Sequence, residues 1–209
     1  MRIIHLFADL CNLYGDYGNV SGLKRMLENK GQNVDVEHQS IDDTIDVSGA
    51  DFVFIGSATE RNQKVALNYL QSYKENIKTA LDNGTVILAT GNSFEIFGQS
   101  VTDFDGTKHE GLSFFPYETV EGKERIVTDS LCSTLLCGGD IIGFVNKASL
   151  TTGVDSPLFD VKQGSGNGKD DNKEGVHYGN FYGTHLIGPV LIRNPQLCEY
   201  FADILIKKQ

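Results

Sequence analysis

Few residues in this sequence could do chemistry, and the most informative stretch is ILATGNSFEIFG at residues 87–98. Its apolar start predicts a buried strand, which a tight turn and a short helix follow. In α/β enzymes such a strand–turn–helix lifts a nucleophile out of the sheet. The turn here offers Gly91, Asn92 and Ser93 and no cysteine. Because Asn92 and Glu95 have the spacing of a capping box, we expect a helix cap rather than a serine nucleophile.

The elements that would position this turn alternate between strands and helices in the first half of the chain. Apolar runs predict buried strands at RIIHLFA, DFVFIG and TVILAT, and the alternating run NVDVEHQ predicts a more exposed strand. Apolar residues at helical spacing predict a helix at residues 19–29 and a long helix at residues 62–82. This βαβ order predicts a parallel sheet.

The second half of the chain has a different character. The short runs ERIVTD, STLLCGG and IIGFVNKASL are typical of sheet-edge or antiparallel strands, and VHYGNFYGTHLIG predicts a further strand. The polar, glycine-rich residues 163–175 predict an exposed mobile loop rather than a phosphate-binding loop, because no buried strand leads into them. Apolar residues at helical spacing predict a last helix at residues 196–207.

Composition narrows the class of protein. The 209 residues suit one domain with a sizeable core, and the net charge of −10 argues against a general nucleic-acid binder. The four cysteines are too sparse for a disulfide framework, and leucines around Cys132 and Cys137 favour strand packing over a metal site. No apolar run reaches ~18 residues, and the chain enters a strand without a signal peptide. We therefore expect a reduced, cytoplasmic protein without a membrane span, metal or cofactor.

Several segments together resemble one known family. They are DLCNLYGDYGNVSGLKRMLENKG, DFVFIGSATERNQ, ILATGNSFEIFG, GLSFFPYETVEGKERI, IIGFVNKASLTTG and VHYGNFYGTHLIGPVLIRNP. Their order resembles that of cobyric-acid-synthase-type (CobB/CobQ-like) class I glutamine amidotransferases, most of all the glutaminase subunits of lipid II isoglutaminyl synthase. The resemblance implies one amidotransferase-like domain over residues 1–209. It also implies a flavodoxin-like, mainly parallel sheet with helices on both faces and additional antiparallel strands in the second half.

The resemblance also implies a chemistry whose groups are missing here. Family members release ammonia from glutamine with a cysteine nucleophile and a histidine base. Set against the family patterns, the nucleophile position is Gly91 and the base position is Ile187, so neither group is intact. The family's GGG segment, which supplies part of the oxyanion hole, corresponds to Gly56-Ser57-Ala58. We assign Gly56 and Asn92 to this oxyanion region.

Other residues could replace or assist the missing groups. His185 lies two residues before Ile187 and could share its face of a strand, although a buried structural histidine is the simpler interpretation. Cys11 is expected to be a small buried residue far from the elbow. The resemblance associates Arg125 with substrate glutamine, against the alternative of a solvated charge at a strand start. Glu95 and His185 are, with Arg125, the other candidates for substrate binding.

Two further motifs have ordinary structural explanations. Asp16, Tyr17 and Asn19 match the family's opening GDRGN, which would cap the first helix. Glu60 and Arg61 begin the long helix, where a surface ion pair is the simple account.

Two functional hypotheses follow from the resemblance. In the first, the chain is a catalytically degenerate subunit that retains the fold and binds a Mur-ligase-like, ATP-dependent partner acting on peptidoglycan precursors. In the second, it is an active glutaminase of the same family that uses unusual catalytic groups. A small-molecule module with a vestigial pocket, for which glutamine is the candidate ligand, is a third possibility. We expect Gly91 to have a positive φ, and Ile187 to face it across a gap without polar partners for a substrate amide.

Overall fold

A computed structural model describes residues 1–168 and 171–208. Strands and helices alternate up to the elbow, and strands dominate afterwards. The strands are β1 (Arg2–Leu6), β2 (Asp35–Gln39), β3 (Phe52–Ile55), β4 (Val86–Thr90), β5 (Ser100–Thr102), β6 (Lys108–Glu110), β7 (Glu118–Ser133), β8 (Asp140–Thr152), β9 (Phe159–Gln163), β10 (Lys173–Glu174), β11 (Val176–Tyr178) and β12 (Phe181–Thr184). The helices are α1 (Tyr17–Asn29), α2 (Glu60–Gln71), α3 (Lys74–Asp82), a 3₁₀ helix (Gly91–Phe97), α4 (Val190–Arg193) and α5 (Pro195–Lys207).

The first sheet has the strand order β2-β1-β3-β4-β12-β11. Its first five strands are parallel, and β11 runs antiparallel to β12 at the edge. An order of this kind is flavodoxin-like, and ligands of such sheets bind beyond the carboxyl ends of the strands. The carboxyl ends of β3, β4 and β12 are followed by Gly56, Gly91 and His185, so the topology brings these residues to one edge.

Helices cover both faces of this sheet, as expected for parallel strands. On one face, Leu23 of α1 and Phe201 of α5 are buried in a cluster with Phe52 and Phe54 of β3. On the other face, α2 and α3 bury their apolar residues in a second cluster with Ile55 and other strand residues. The fold expectation of a mainly parallel sheet between two helical layers is confirmed.

The second sheet is built mostly from antiparallel strands. Its order is β10-β9-β7-β5-β6, and β8 pairs with β7 in a long hairpin. Only the β5–β7 pair among these is parallel. Alternate residues of β8 are buried, which turns one face of this hairpin towards the first sheet. The expectation of additional antiparallel strands in the second half is also confirmed.

Two predicted elements differ from the structure. The long helix predicted at residues 62–82 is two helices, because the chain bends at Ser72 and Tyr73 while the apolar spacing continues across the bend. The strand predicted at VHYGNFYGTHLIG is the β11–β12 hairpin, which turns at Gly179 with a φ of +60°.

The glycine-rich segment is only in part the exposed loop that its composition suggests, because Gln163, Gly164 and residues 171–173 are exposed whereas its centre is buried. Asn167 is fully buried, and its side chain hydrogen-bonds both the N–H and the carbonyl of Gly175 at 2.8 Å. The part of this segment around Asn167 is therefore packed in place, while Lys169 and Asp170 lie outside the described residues. Within residues 1–168 and 171–208, no cluster of His, Cys, Asp or Glu suits a metal ion. No described helix is both long and apolar enough to cross a membrane.

Candidate functional site

The elbow forms where β4 ends and the 3₁₀ helix begins. Gly91 has a φ of +62°, which confirms the expected left-handed conformation. A non-glycine residue here would carry the backbone strain that nucleophile elbows store, and glycine avoids it because it has no Cβ. Gly91 lines a small cavity of about 80 Å³ at the carboxyl edge of the first sheet.

Ser57 occupies the space where a side chain at position 91 would begin. A Cβ added to Gly91 would lie 2.4 Å from Ser57 Oγ and 2.6 Å from Ser57 Cβ. Contacts this short cannot be accommodated without movement of Ser57 or of the elbow. The Ser57 side chain is buried, and its Oγ has no hydrogen-bond partner among the described residues.

The backbone N–H groups after β3 are engaged by side chains. The Ser57 N–H donates to Asp16 Oδ2 at 2.9 Å, and the Ala58 N–H donates to Asn92 Oδ1 at 3.0 Å. Asn92 therefore binds the neighbouring loop, and its interpretation as a helix cap is wrong. The carbonyl of Gly56 accepts a hydrogen bond from Ser93 Oγ. This contact turns the Ser93 hydroxyl into the protein, so Ser93 is not placed as a nucleophile.

Asp16 joins the two loops of this region. Its carboxylate accepts the Ser57 N–H and, at 3.3 Å, the hydroxyl of Thr90 at the end of β4. Burial raises the pKa of Asp16, and the hydrogen bonds from Ser57 and Thr90 oppose that rise. The side chain makes no capping hydrogen bond to α1, so the predicted cap is wrong.

The other two residues of this opening motif have separate positions. Asn19 is buried and accepts the N–H of Leu191 at 2.9 Å, whereas Tyr17 is largely exposed. Cys11 is buried as expected, and burial raises its pKa to about 12. It lies against Ser93 rather than far from the elbow, because the loop after β1 folds back over the end of β3.

Glu95 is the centre of a buried polar network. Its Oε1 accepts the hydroxyl of Ser149 at 2.5 Å and lies 3.2 Å from His185 Nε2. Its Oε2 accepts Gln63 Nε2 at 2.8 Å. The Glu95 side chain is 2% exposed and that of His185 is 1% exposed. A buried carboxylate is tolerated only with such partners, so these contacts explain how glutamate is held at this position.

Lys147 and Glu174 extend this network from His185. Lys147 Nζ lies 3.5 Å from His185 Nδ1 and donates to the carbonyls of Gly166 and Asn167 at 2.6 and 3.1 Å. Burial lowers the pKa of Lys147 to about 8. Glu174 Oε1 accepts the His185 N–H at 2.6 Å.

Ile187 lines the same cavity as Gly91, as the sequence predicts. It is 2% exposed, and its N–H donates to the carbonyl of Phe144 at 2.9 Å. The expected absence of polar partners in the gap is wrong, because Glu95, Lys147 and His185 also line it. Of these three residues, Lys147 comes from β8, whereas Glu95 lies in the 3₁₀ helix and His185 follows β12.

Arg125 lies at the mouth of the cavity. It pairs with Glu60, and its Nη1 donates to Asn146 Oδ1 at 3.1 Å. Asn146 Nδ2 in turn donates to the hydroxyl of Tyr14 at 2.9 Å. The surface ion pair of Glu60 is therefore made with Arg125 rather than with its neighbour Arg61. Arg125 is half-exposed but belongs to the cavity wall.

Comparison with known proteins gives this site its context. The CobB/CobQ-like glutamine amidotransferase domain matches residues 2–195. This chain belongs to that family. It is 31% identical over 203 residues to the lipid II isoglutaminyl synthase (glutamine-hydrolyzing) subunit GatD of Staphylococcus aureus, covering 97% of this chain and 83% of the relative. It is 32% identical over 212 residues to GatD of Streptococcus pneumoniae, covering 100% of this chain and 82% of the relative.

The fold agrees with the family. A solved structure described as a glutamine amidotransferase has a TM-score of 0.63, with 97% of this chain and 98% of that one covered. At 12% identity this likeness concerns the fold alone. The structure is therefore a class I glutamine amidotransferase fold, with a mainly parallel first sheet.

Within this CobB/CobQ-like fold, the structure brings together most of the residues predicted from sequence. Gly56 lies in the loop beside the cavity, and the cavity wall includes the other predicted positions: Gly91, Asn92, Glu95, Arg125, His185 and Ile187. The sequence interpretation missed Ser57 as a steric partner, and it missed Lys147 and Ser149 altogether. Their signal was available, because polar residues at alternate positions of the apolar run IIGFVNKASL share one face of a strand.

Proposed function

We propose that this chain is a GatD-type subunit for peptidoglycan precursor amidation that does not hydrolyse glutamine. The support for the type is the 31–32% identity to two GatD subunits over nearly the whole chain. We further propose that residues 1–209 form a single amidotransferase-like domain that works in the cytoplasm. One observation supports the loss of hydrolysis most directly. Position 91 is glycine, and Ser57 occupies the space that the side chain of a nucleophile would need there.

Each step of the family chemistry lacks a group in this proposal. Gly91 has no side chain that could attack a carboxamide carbon, and Ile187 cannot accept or return a proton. The N–H groups of Ser57 and Ala58 donate to Asp16 and Asn92, so they are not directed at a developing oxyanion. Loss of one oxyanion donor alone costs about 10²–10³ in rate, which adds to the missing nucleophile.

The partner in this proposal is a Mur-ligase-like, ATP-dependent subunit that activates a carboxylate of the peptidoglycan stem. The support is indirect: the similar proteins are named as subunits of a glutamine-hydrolyzing synthase. A chain that keeps the fold without the catalytic groups would contribute binding or regulation to such a complex rather than ammonia.

An active glutaminase with unusual groups is the competing function, and one observation favours it. His185 and Lys147 line the cavity close to Glu95, and the lowered pKa of Lys147 leaves part of its amine neutral near pH 8. Neutral amines and imidazoles can act as bases. Lys147 Nζ, however, already donates to two backbone carbonyls, which holds it away from a substrate.

Ammonia release from glutamine separates the two functions. The full chain is assayed alone and together with a Mur-ligase-like partner, with ammonia followed by a coupled enzyme assay. We expect no release above buffer in either case. The matched variants are His185→Gln and Lys147→Met, which remove the two remaining candidate bases. Turnover that either variant abolishes would refute the proposal and establish the active glutaminase.

A further inference from the structure

One buried lysine holds part of the glycine-rich segment in place. Lys147 of β8 is 5% exposed, and its Nζ donates to the carbonyls of Gly166 and Asn167 at 2.6 and 3.1 Å. Both carbonyls belong to residues 164–168, which we call the Asn167 segment. The same lysine also lines the cavity. A change in the charge of Lys147 therefore affects the segment and the cavity wall together.

This arrangement indicates a conformational device. We propose that Lys147 makes the attachment of the Asn167 segment pH-dependent, so that protonation of the amine favours detachment and loss of the proton favours the packed position. The observation behind it is a buried cation whose hydrogen-bond acceptors are carbonyls and an imidazole nitrogen rather than carboxylates. The inference goes beyond the proposed function, because it holds whether or not the chain hydrolyses glutamine.

The first step of the argument concerns the contacts of Lys147. An ammonium group has three N–H donors, and the structure offers this one two backbone carbonyls and, at 3.5 Å, His185 Nδ1. None of the ion pairs among the described residues includes Lys147, whereas Lys64, which is also buried, pairs with Asp103 and Glu121 at 2.8 and 2.5 Å. Burial of a charge without a direct counter-ion is costly. Packing of the segment therefore carries a cost that a solvated Lys147 would not have.

Other charged and titratable groups surround this lysine. Among the described residues they are Glu95 of the 3₁₀ helix, Asp171, Glu174 of β10 and His185 after β12. Burial lowers the pKa of Lys147 to about 8, and attraction to the carboxylates of Glu174, Glu95 and Asp171 opposes this effect only in part. The amine in the packed segment therefore gains or loses its proton near pH 8.

The direction of the pH dependence follows from linkage between protonation and detachment. The ordinary pKa of a lysine is 10.5, so a Lys147 that becomes solvated on detachment binds its proton more tightly than the packed one. Detachment therefore takes up a proton between about pH 8 and 10.5, and a lower pH favours it. Raising the pH from 7 to 9 should reduce the detached population about tenfold.

Two backbone amides report whether the Asn167 segment is attached. The N–H of Asn167 donates to the carbonyl of Lys173 at 2.7 Å, and the N–H of Gly175 donates to Asn167 Oδ1 at 2.8 Å. Both hydrogen bonds break when the segment detaches. The N–H of Leu191 is the matched control amide, since it donates at 2.9 Å to the side chain of another buried asparagine, Asn19, which does not contact Lys147.

Hydrogen exchange detected by NMR in the full chain between pH 7 and 9 tests the inference. After correction for the intrinsic exchange rate, protection of the Asn167 and Gly175 amides should rise about tenfold, and protection of the Leu191 amide should stay unchanged. Lys147→Met removes the charge, retains an unbranched side chain and should abolish the rise. Lys147→Arg serves if the methionine variant fails to fold, because arginine stays charged over this range and should also show no rise.

Two control variants separate Lys147 from its surroundings. Although burial opposes it, the ion pairs with Asp103 and Glu121 raise the pKa of Lys64, so Lys64→Met should retain the tenfold rise. His185→Gln removes the imidazole beside Lys147 and should retain the rise as well. Unchanged or falling protection between pH 7 and 9 in the unaltered chain, or an equal rise in Lys147→Met, would overturn the inference. Loss of the rise in His185→Gln while Lys147→Met kept it would assign the effect to His185 and would overturn the inference too.

Discussion

Replacing Gly91 with alanine should destabilise the protein through two separable effects. The first is backbone strain, since a residue with a Cβ disfavours the φ of +62° that the elbow requires. The second is overpacking, since the added Cβ would lie 2.4 Å from Ser57 Oγ. The chain supplies a control for the first effect alone. Gly179 has a φ of +60°, and nothing lies within 4 Å of the place where its Cβ would be.

The magnitudes follow from this comparison. The left-handed conformation costs roughly 1–2 kcal/mol for a non-glycine residue, and this cost applies to Gly91→Ala and Gly179→Ala alike. Overpacking of a buried site adds about 1–3 kcal/mol, and it applies to Gly91→Ala only. We therefore expect Gly91→Ala to lower the free energy of unfolding by about 2–5 kcal/mol, and Gly179→Ala by about 1–2 kcal/mol.

Urea denaturation of the four proteins in a double-mutant cycle measures the second effect directly. The cycle comprises the unaltered chain, Gly91→Ala, Ser57→Gly and the double variant. Ser57→Gly removes the two atoms nearest to the new Cβ and leaves the Cα of residue 57 at 3.1 Å, so the two changes should couple favourably by about 1–3 kcal/mol. The same cycle with Gly179→Ala in place of Gly91→Ala should be additive, because Gly179 contacts nothing near Ser57.

Three results would refute this reasoning. Equal destabilisation by Gly91→Ala and Gly179→Ala would show that Ser57 can move away from a side chain at position 91 without lowering the free energy of unfolding. Additive effects of Gly91→Ala and Ser57→Gly would show that the two residues do not compete for space. A Gly91→Ala protein more stable than the unaltered chain would contradict both the strain and the overpacking.

Two further predictions concern the elbow and the first sheet. In a variant that combines Ser57→Gly, Gly91→Cys and Ile187→His, the further change Glu95→Gln should shift the pH dependence of thiol alkylation to lower pH. The reason is that a nearby carboxylate raises the pKa of a thiol. Identical alkylation curves with and without Glu95→Gln would show that Glu95 does not act on the elbow. Burial lowers the pKa of His5 to about 4, so the unfolded chain binds its proton between about pH 6.5 and 4 while the folded protein does not. Stability should therefore fall by up to about 2–3 kcal/mol as the pH drops through this window. Denaturant unfolding at several pH values should show a shallower fall for His5→Leu, and an unchanged pH dependence would contradict the assignment.

The fold was largely predictable because its signals are local. The buried strands, the flanking helices and the glycine at the elbow each follow from runs of a few residues, and parallel strands need helical crossovers. The break between α2 and α3 was not predictable, because neither glycine nor proline marks it. The burial of Asn167 could not be predicted from the local sequence either. Its hydrogen-bond partner, Gly175, is separated from it by a stretch of polar residues.

The site was only half predictable because its contacts join distant parts of the chain. The positions of Gly91 and Ile187 follow from the family's motifs, but the conflict between Ser57 and a side chain at 91 depends on backbone geometry. The partners of Glu95 come from α2, β8 and the end of β12, at separations of 32 to 90 residues. Periodicity places each of these residues on a face without saying which element that face meets.

The substitutions around the elbow support one another, which bears on whether the family's chemistry could be restored. A cysteine at 91 conflicts with Ser57, so Gly91→Cys alone places a thiol on a displaced elbow. Glycine at 57 relieves most of that conflict but leaves the Ala58 N–H bonded to Asn92. A glutamine at 95 would in turn need new partners for its N–H₂ group, because Ser149 and Gln63 now donate to a carboxylate. Since each reversal leaves another buried polar group or contact unmatched, we expect activity to return only when several positions change together.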